Sequence, residues 1–341
     1  MRKLFVNGTV VDEDGLKKAN LLVEDGKIVQ VSPSLADEDA EQIDATGLLL
    51  MPGGVDAHVH LDLPMFGTVS SDDHYTGTKA AAFGGTTTLI DFISQDDHDL
   101  FKNIQAWEAK AAKAAVDISA HANISYFDER VASQLKELPS AGVTSVKVFT
   151  AYNGRLRLND ADIFKVMRVA GKAGLLTMVH AENGDVIDLL ISEALADGKT
   201  DPIWHARTRP AWGEVEASLR SQALGIMADA PVYLVHMNVA GEVDQLKYTR
   251  ERGMPMMGET CPQYLFFTDA SLEREDGSKW ICSPPMRKAE DGKRLYGGLA
   301  DGTIQVLATD HCPFFYDGRK PILYEGKEIA IPGKELGIGD F

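Results

Sequence analysis

The chain changes rhythm at about residue 50. Before it, short stretches alternating apolar and polar residues (LFVNGTVV, NLLVEDGKIVQVS, IDATGLLLMPGGVDAHVH) are separated by tight-turn signals. This pattern predicts strands and hairpins, because alternation with period two puts one face of a strand on a core. Asn7-Gly8 and Asp25-Gly26 fit two-residue hairpin turns, where positive φ favours Asn, Asp or Gly. These hairpins hold too little apolar surface to stand alone and are expected to pack on a further sheet or on the main domain.

From Leu48 onward, short apolar runs alternate with stretches of helical spacing, which predicts parallel strands joined by crossover helices. Strands are expected near 50–60, 86–92, 117–125, 145–149, 176–180, 232–236, 255–260 and 304–309. The helical stretches include FKNIQAWEAKAAKAA and DADIFKVMRVAGKAG, the second stopped by Gly174. Eight such strands predict an α/β protein, a TIM-like (β/α)8 barrel over 50–341, with 1–49 forming part of a small β-sandwich domain.

Composition narrows the class. At 341 residues and 44% hydrophobic, the chain can bury one large core. A net charge of −17 without a basic face argues against a nucleic-acid partner. No apolar run is long enough to cross a bilayer, and the start, MRKLFVNGTV, turns polar too early for a secretion signal, so a cytoplasmic location and no membrane partner are expected. The three cysteines, Cys261, Cys282 and Cys312, are odd in number and far apart; they predict buried thiols rather than a disulfide framework or a Cys-x-x-Cys zinc site.

Six residues then carry the chemistry: His58 and His60 in VDAHVH, Lys147 in SVKVF, His180 in TMVHAEN, His236 in YLVHMN and Asp310 in LATDH. Each ends an apolar run, which is where a barrel builds its active site. Alternation puts Asp56, His58 and His60 on one face of a strand, so both imidazoles can reach one cation. Lys147 lies between Val146 and Val148 and points away from their helix-facing side, into the barrel. Singly, each residue has a plain explanation: a satisfied core histidine, a lysine paired with an acid, a loop aromatic for Tyr152. Together they predict a divalent-metal site in which Lys147, neutral when desolvated, has added carbon dioxide and bridges two cations as a carbamate. Two metals of this kind hold a hydroxide at neutral pH and polarise a carbonyl, which predicts hydrolysis of an amide-like bond. Asp310 would take the nucleophile's proton and return one to the leaving nitrogen, with the Tyr152 phenol donating to the oxyanion.

At these residues the chain resembles the dihydropyrimidinase and D-hydantoinase family of cyclic amidohydrolases, in the amidohydrolase superfamily. GGVDAHVHLDLPMFGT, AAAFGGTTTLIDF, GVTSVKVFTAY, HAENGDVI, YLVHMN, GETCPQYL, CSPPMR and ATDHCPF carry the resemblance over essentially the whole chain. It implies a metal-dependent hydrolase barrel with a flanking β-sandwich, two zinc ions, and a homotetramer or dimer when full length. It assigns His58, His60 and Asp310 to the more buried metal, His180 and His236 to the other, and Lys147 to the carboxylated bridge. Tyr152 matches the oxyanion tyrosine, and Ser283 the serine whose backbone holds the ring's imide edge. The implied reaction is reversible ring opening of 5,6-dihydropyrimidines or 5-substituted hydantoins to N-carbamoyl amino acids. Met65 and Phe66, 93–97 and 153–158 fall where the family's loops shape the substituent pocket.

The family also carries a substrate-binding asparagine in a Pro-Asn-Gly segment beyond the eighth strand, which is absent before Phe341, so a fragment truncated before the last helix is expected. Dihydroorotases and allantoinases usually carry a carboxylate-reading Arg or an Asn two residues past the His-x-His; Asp62 stands there instead. The non-catalytic collapsin-response relatives lack the metal ligands found here. His74, His98, His121, His205 and His311 are expected to be structural, with His311 in packing or behind the ligands.

Overall fold

The computed structural model describes residues 1–65 and 68–315, and the backbone of 322–324 and 327–329. It contains two compact units, Met1–Gly54 and Val55–Phe341.

In the first unit, Arg2–Val6 is paired antiparallel with Asn20–Glu24 and parallel with Glu41–Asp44, and Lys27–Ser32 completes a four-stranded sheet. A second sheet joins Gly15–Lys18, Thr9–Asp12 and Leu49–Leu50. Alternation buries Leu4 and Leu22 with Ala40, while Val6 and Leu35 cover them. Asp25 and Gly26 have φ of 49° and 79° and close the expected hairpin, with Glu24 paired to Lys27. Asn7-Gly8 makes no hairpin. Asn7 does adopt φ 65°, but the strands on either side of the pair lie in different sheets. The turn carries the chain between them, held by Asn7 Nδ2 donating to Asp44 Oδ1 at 3.0 Å. A Cβ on Gly8 would stand 2.8 Å from Leu50 Cδ1, so close approach of Leu50 explains this glycine.

The second unit is an eight-stranded barrel in sequential order: β1 (Gly54–Asp56), β2 (Thr86–Ile93), β3 (Asp117–Asn123), β4 (Ser145–Phe149), β5 (Leu176–His180), β6 (Val232–Leu234), β7 (Met256–Thr260) and β8 (Val306–Leu307). Pairing from β2 through β8 is parallel throughout. β1 is shorter than its apolar run suggests, because Leu49 and Leu50 pair with Thr9 and Val10 instead. Past the strand ends, the seam between first and last is closed by a parallel bridge of Val59 to His311, with the His60 N–H donating to His311 O at 2.8 Å. Asp56 reinforces it by accepting from Thr309 N (3.0 Å) and Thr309 Oγ1 (2.6 Å).

The main core lies between strands and helices. Val146 and Val148 of β4 are wholly buried with Ile163, Val166, Met167 and Ala170 of the helix Asp160–Lys172. Each of the larger of these side chains contributes roughly 1.5–3 kcal/mol through burial. That helix starts on an Asn159 cap and is followed by Gly174 at φ 76°, as the apolar spacing predicts. The valines' outward commitment sends the intervening Lys147 inward, 2% exposed. Barrel topology thus brings the ends of distant strands to one mouth.

Candidate active site

At that mouth the six expected residues meet. His58, fully buried just past β1, places Nδ1 2.7 Å from Glu259 Oε1 and Nε2 3.1 Å from Asp310 Oδ1. His60 Nε2 is 3.3 Å from the same Asp310 oxygen, and Lys147 Nζ is 3.0 Å from His58 Nε2. Ligand atoms of His58, His60 and Asp310 all lie within 4.8 Å of one another. Across the barrel, His180 Nδ1 is 2.9 Å from His236 Nε2, and His180 Nε2 is 2.8 Å from Glu182 Oε2. The His58 and His236 rings stand 5.6 Å apart and join the two groups. Phe92 of β2 floors the site, its ring 4.6 Å from His58 and 4.8 Å from His60.

The donor set fits divalent metal. A carboxylate only accepts, so the Nδ1–H of His58 donates to Glu259 and Nε2 is left as a bare lone pair. That lone pair faces Asp310 Oδ1, a second acceptor, at 3.1 Å. Lys147 Nζ, 3.0 Å from the same nitrogen, is the donor within its reach, and a divalent ion between Nε2 and Oδ1 would satisfy both acceptors. On the other side Glu182 orients His180 in the same way, freeing Nδ1, while Nδ1 of both His60 and His236 is buried without a hydrogen-bond partner. Backing carboxylates behind imidazoles are the usual outer support of metal-binding histidines.

Electrostatics agree with this assignment. Burial, with Lys147 beside it, pushes His58 well below the usual imidazole range, and burial with His180 does the same to His236. Both are neutral, as ligands must be. Burial works against charge on Asp310, but His58, His60 and His236 overcome it and hold the carboxyl well below its usual range. Burial lowers Lys147 against the upward pull of Asp310 and Glu259, favouring the free amine that reacts with carbon dioxide. Asp310, His236 and Tyr152 have φ of 52°, 41° and 66°, a left-handed conformation costly for side chains with a Cβ. Such strain collects where geometry is fixed for function.

A cavity of about 540 Å³ opens over the cluster and is lined by His60, Lys147, His180, His236 and Asp310 together with Tyr152 and Ser283. The Tyr152 ring lies 4.9 Å from that of His180. Burial and then Glu182 raise its pKa, so the phenol keeps its proton and can donate. The loop segments singled out in the sequence also reach the cavity: Ser94, Gln95 and Asp96 after β2, Arg155 and Leu156 after β4. Phe66 lies outside the described residues. Cys261 is buried; Cys282 and Cys312, half-buried, line the cavity as protonated thiols, with burial pushing Cys282 up to about 12.

The remaining histidines support the frame. His74 Nε2 is 2.9 Å from Asp91 Oδ2, His98 stacks on Tyr126, and His311 Nε2 is 2.9 Å from Asp72 Oδ2. His121 Nε2 donates to Ala57 O at 3.0 Å, beside the ligand strand. Sequence reasoning missed Glu182 and Glu259. Glu182 shares His180's alternation in HAEN, and Glu259 sits next to the last residue of β7 in MMGET.

Comparison with known proteins agrees with the fold. The amidohydrolase family profile matches residues 49–332. The D-hydantoinase of Geobacillus stearothermophilus is 42% identical over 346 residues, covering 100% of this chain and 70% of that protein. That of Streptomyces coelicolor is 40% identical, covering 100% and 72%. Among solved structures, dihydropyrimidinase from Brevibacillus agri NCHU1002 superposes with a TM-score of 0.92 at 44% identity, over 94% of this chain and 70% of its own. L-Hydantoinase (dihydropyrimidinase) from Arthrobacter aurescens gives 0.82 at 27% identity, over 91% and 69%. A parallel barrel with imidazoles and a carboxylate converging at its strand ends is the architecture of the metal-dependent barrel hydrolases. The chain belongs to the amidohydrolase family, in its D-hydantoinase and dihydropyrimidinase branch.

Among the described residues no helix is long and apolar enough to cross a membrane.

Proposed function

We propose that the chain hydrolyses the ring amide of cyclic ureides, 5-substituted hydantoins or 5,6-dihydropyrimidines, to N-carbamoyl amino acids. The carrying observation is that His60, Lys147, His180, His236 and Asp310 line one cavity, with His58 buried against Asp310 and Lys147 and with Glu259 and Glu182 backing His58 and His180. In this reading His58, His60 and Asp310 would hold one divalent ion, zinc by preference, and His180 and His236 a second. Lys147, its amine having added carbon dioxide and lost a proton, would supply an anionic ligand to them. The two ions would supply a hydroxide at neutral pH and polarise the scissile carbonyl.

The chain's own residues do the rest. Asp310 accepts the proton of the attacking water and delivers it to the ring nitrogen as the C–N bond breaks. Tyr152, kept protonated by its surroundings, donates to the oxygen that becomes negative in the tetrahedral intermediate. Ser283 holds the imide edge of the ring through its backbone. The cavity, at about 540 Å³, has room for a ring with a sizeable substituent.

The test is a ring-opening assay on hydantoin, 5-phenylhydantoin, dihydrouracil, allantoin and dihydroorotate. Turnover of the hydantoins or dihydrouracil is the expected result. Preference for allantoin or dihydroorotate would move the chain to a different reaction within the same superfamily.

A further inference from the structure

The part of the cavity wall formed by Ile281, Cys282 and Ser283 has no helix or strand of its own. Pro284 and Pro285 follow, and neither carries an N–H, so the backbone there can donate to no ladder. Its buried carbonyls still need partners. Side chains from three separate parts of the barrel supply them. Tyr264, in the short helix Pro262–Phe266 after β7, donates its phenol to Pro284 O at 2.8 Å. Asn238, two residues past His236, donates Nδ2 to Pro285 O at 2.6 Å. His205 Nε2 donates to Cys282 O at 3.0 Å. A weaker donor, the Cys282 thiol, stands 3.4 Å from the Pro284 oxygen. Asn238 and Tyr264 are 1% and 3% exposed, and neither is among the described residues that line the cavity. Burial pushes the Tyr264 phenol well above its usual range, so it keeps the proton it donates. Asn238 is held in turn, its N–H donating to Glu242 Oε2 at 3.2 Å.

We infer that Asn238 and Tyr264 are positioning residues that clamp the Ser-Pro-Pro segment from behind and so fix where the Ser283 backbone meets the imide edge of the ring. The inference rests on the reading of Ser283 given above. Its physical basis is that proline fixes φ but not ψ, and ψ sets where the carbonyl points. Tying the carbonyls of Pro284 and Pro285 to buried donors removes that remaining freedom on the side of Ser283 away from the cavity. Neither donor touches substrate. The loop past β6 thus carries both His236, which faces the cavity, and a support for the wall that reads the ring.

The test compares hydantoin with 3-methylhydantoin, whose imide nitrogen carries a methyl group in place of hydrogen, on the metal-loaded enzyme. The parent should bind the methylated ring about tenfold more weakly, read as a competitive inhibition constant. Tyr264→Phe removes only the hydroxyl; it should raise the hydantoin KM about fivefold with kcat within about twofold, since the ring is held before any bond breaks. The methylated ring already lacks the contact, so its binding should stay within about twofold of the parent's and the discrimination should shrink. Asn238→Leu keeps the bulk, removes Nδ2 and should act in the same way. Hydrogen exchange in the peptide spanning 281–289 should quicken in both variants while other segments keep their protection, a reading that needs no turnover. An unchanged hydantoin KM, an equal weakening of the two rings or unchanged exchange in that peptide would overturn the inference while leaving the role of Ser283 intact. A parent that binds both rings equally would overturn the reading of Ser283 and the inference with it. Should Asn238→Leu fail to fold, Tyr264→Phe carries the same expectations alone.

Discussion

Glu259 Oε1 stands 2.7 Å from His58 Nδ1, with both side chains fully buried, and this contact decides which nitrogen of the imidazole faces the barrel mouth. The same carboxylate oxygen accepts from the His236 N–H at 3.1 Å, and its partner oxygen from the Tyr233 hydroxyl at 2.7 Å. One acid at the end of β7 therefore braces His58, just past β1, together with Tyr233 of β6 and His236 just past it.

Replacing Glu259 by Gln keeps the size but removes the charge that makes His58 a stronger base. Metal affinity should fall about 10–100-fold, the usual loss when a backing carboxylate is removed. Competition against a chelator measures it, and unchanged affinity would contradict the bracing role.

Much of this was legible in the sequence because strand ends advertise themselves. Val146 and Val148 commit one face of β4 to the helices, so Lys147 had to point inward, and the structure buries it beside His58. Length was less legible. The run 50–60 reads as one strand, yet Leu49 and Leu50 pair in the small sheet and β1 spans only Gly54–Asp56. Asn7-Gly8 has hairpin chemistry but joins two sheets, since local turn preference does not say which strands will pair. Glu182 and Glu259 escaped notice because a carboxylate beside an apolar run looks like any surface acid until the barrel encloses it.

Gly225, inside the helix Ala211–Ala228, faces Val232 of β6; a Cβ there would lie 2.2 Å from Val232 Cγ2. Backing the helix away disturbs the strand that leads to His236. Gly225→Ala should therefore destabilise the protein by about 1–3 kcal/mol despite alanine's better helix propensity. Denaturant unfolding reads this directly, and a stabilised variant would show that the helix and β6 can separate freely.

Glu242 caps the helix Ala240–Arg250 from within, its Oε2 accepting from the N–H groups of Asn238 and Val239 at 3.2 Å each. Burial pushes its pKa up to about 8 from the ordinary 4.5, with Glu182 and Asp291 adding to the rise. The folded state thus holds the proton more tightly than the unfolded chain. Stability from this group is full below 4.5 and is lost as pH climbs through 8. Gln mimics the protonated acid and escapes the loss. Relative to the parent, Glu242→Gln should gain more than about 1 kcal/mol between mildly acidic and alkaline buffer, measured by urea unfolding. A constant difference across that range would contradict the assignment.

The proposed reaction requires metal held by these six side chains, with Lys147 as the bridge. The direct measurement is the rate of hydantoin ring opening by metal-stripped protein as zinc is added back in bicarbonate, for the parent and for Lys147→Ala. The parent should rise from background to a plateau at about two zinc ions per chain, and Lys147→Ala should stay near background while remaining folded. Full turnover by the stripped protein, or a Lys147→Ala titration that matches the parent, would contradict the account.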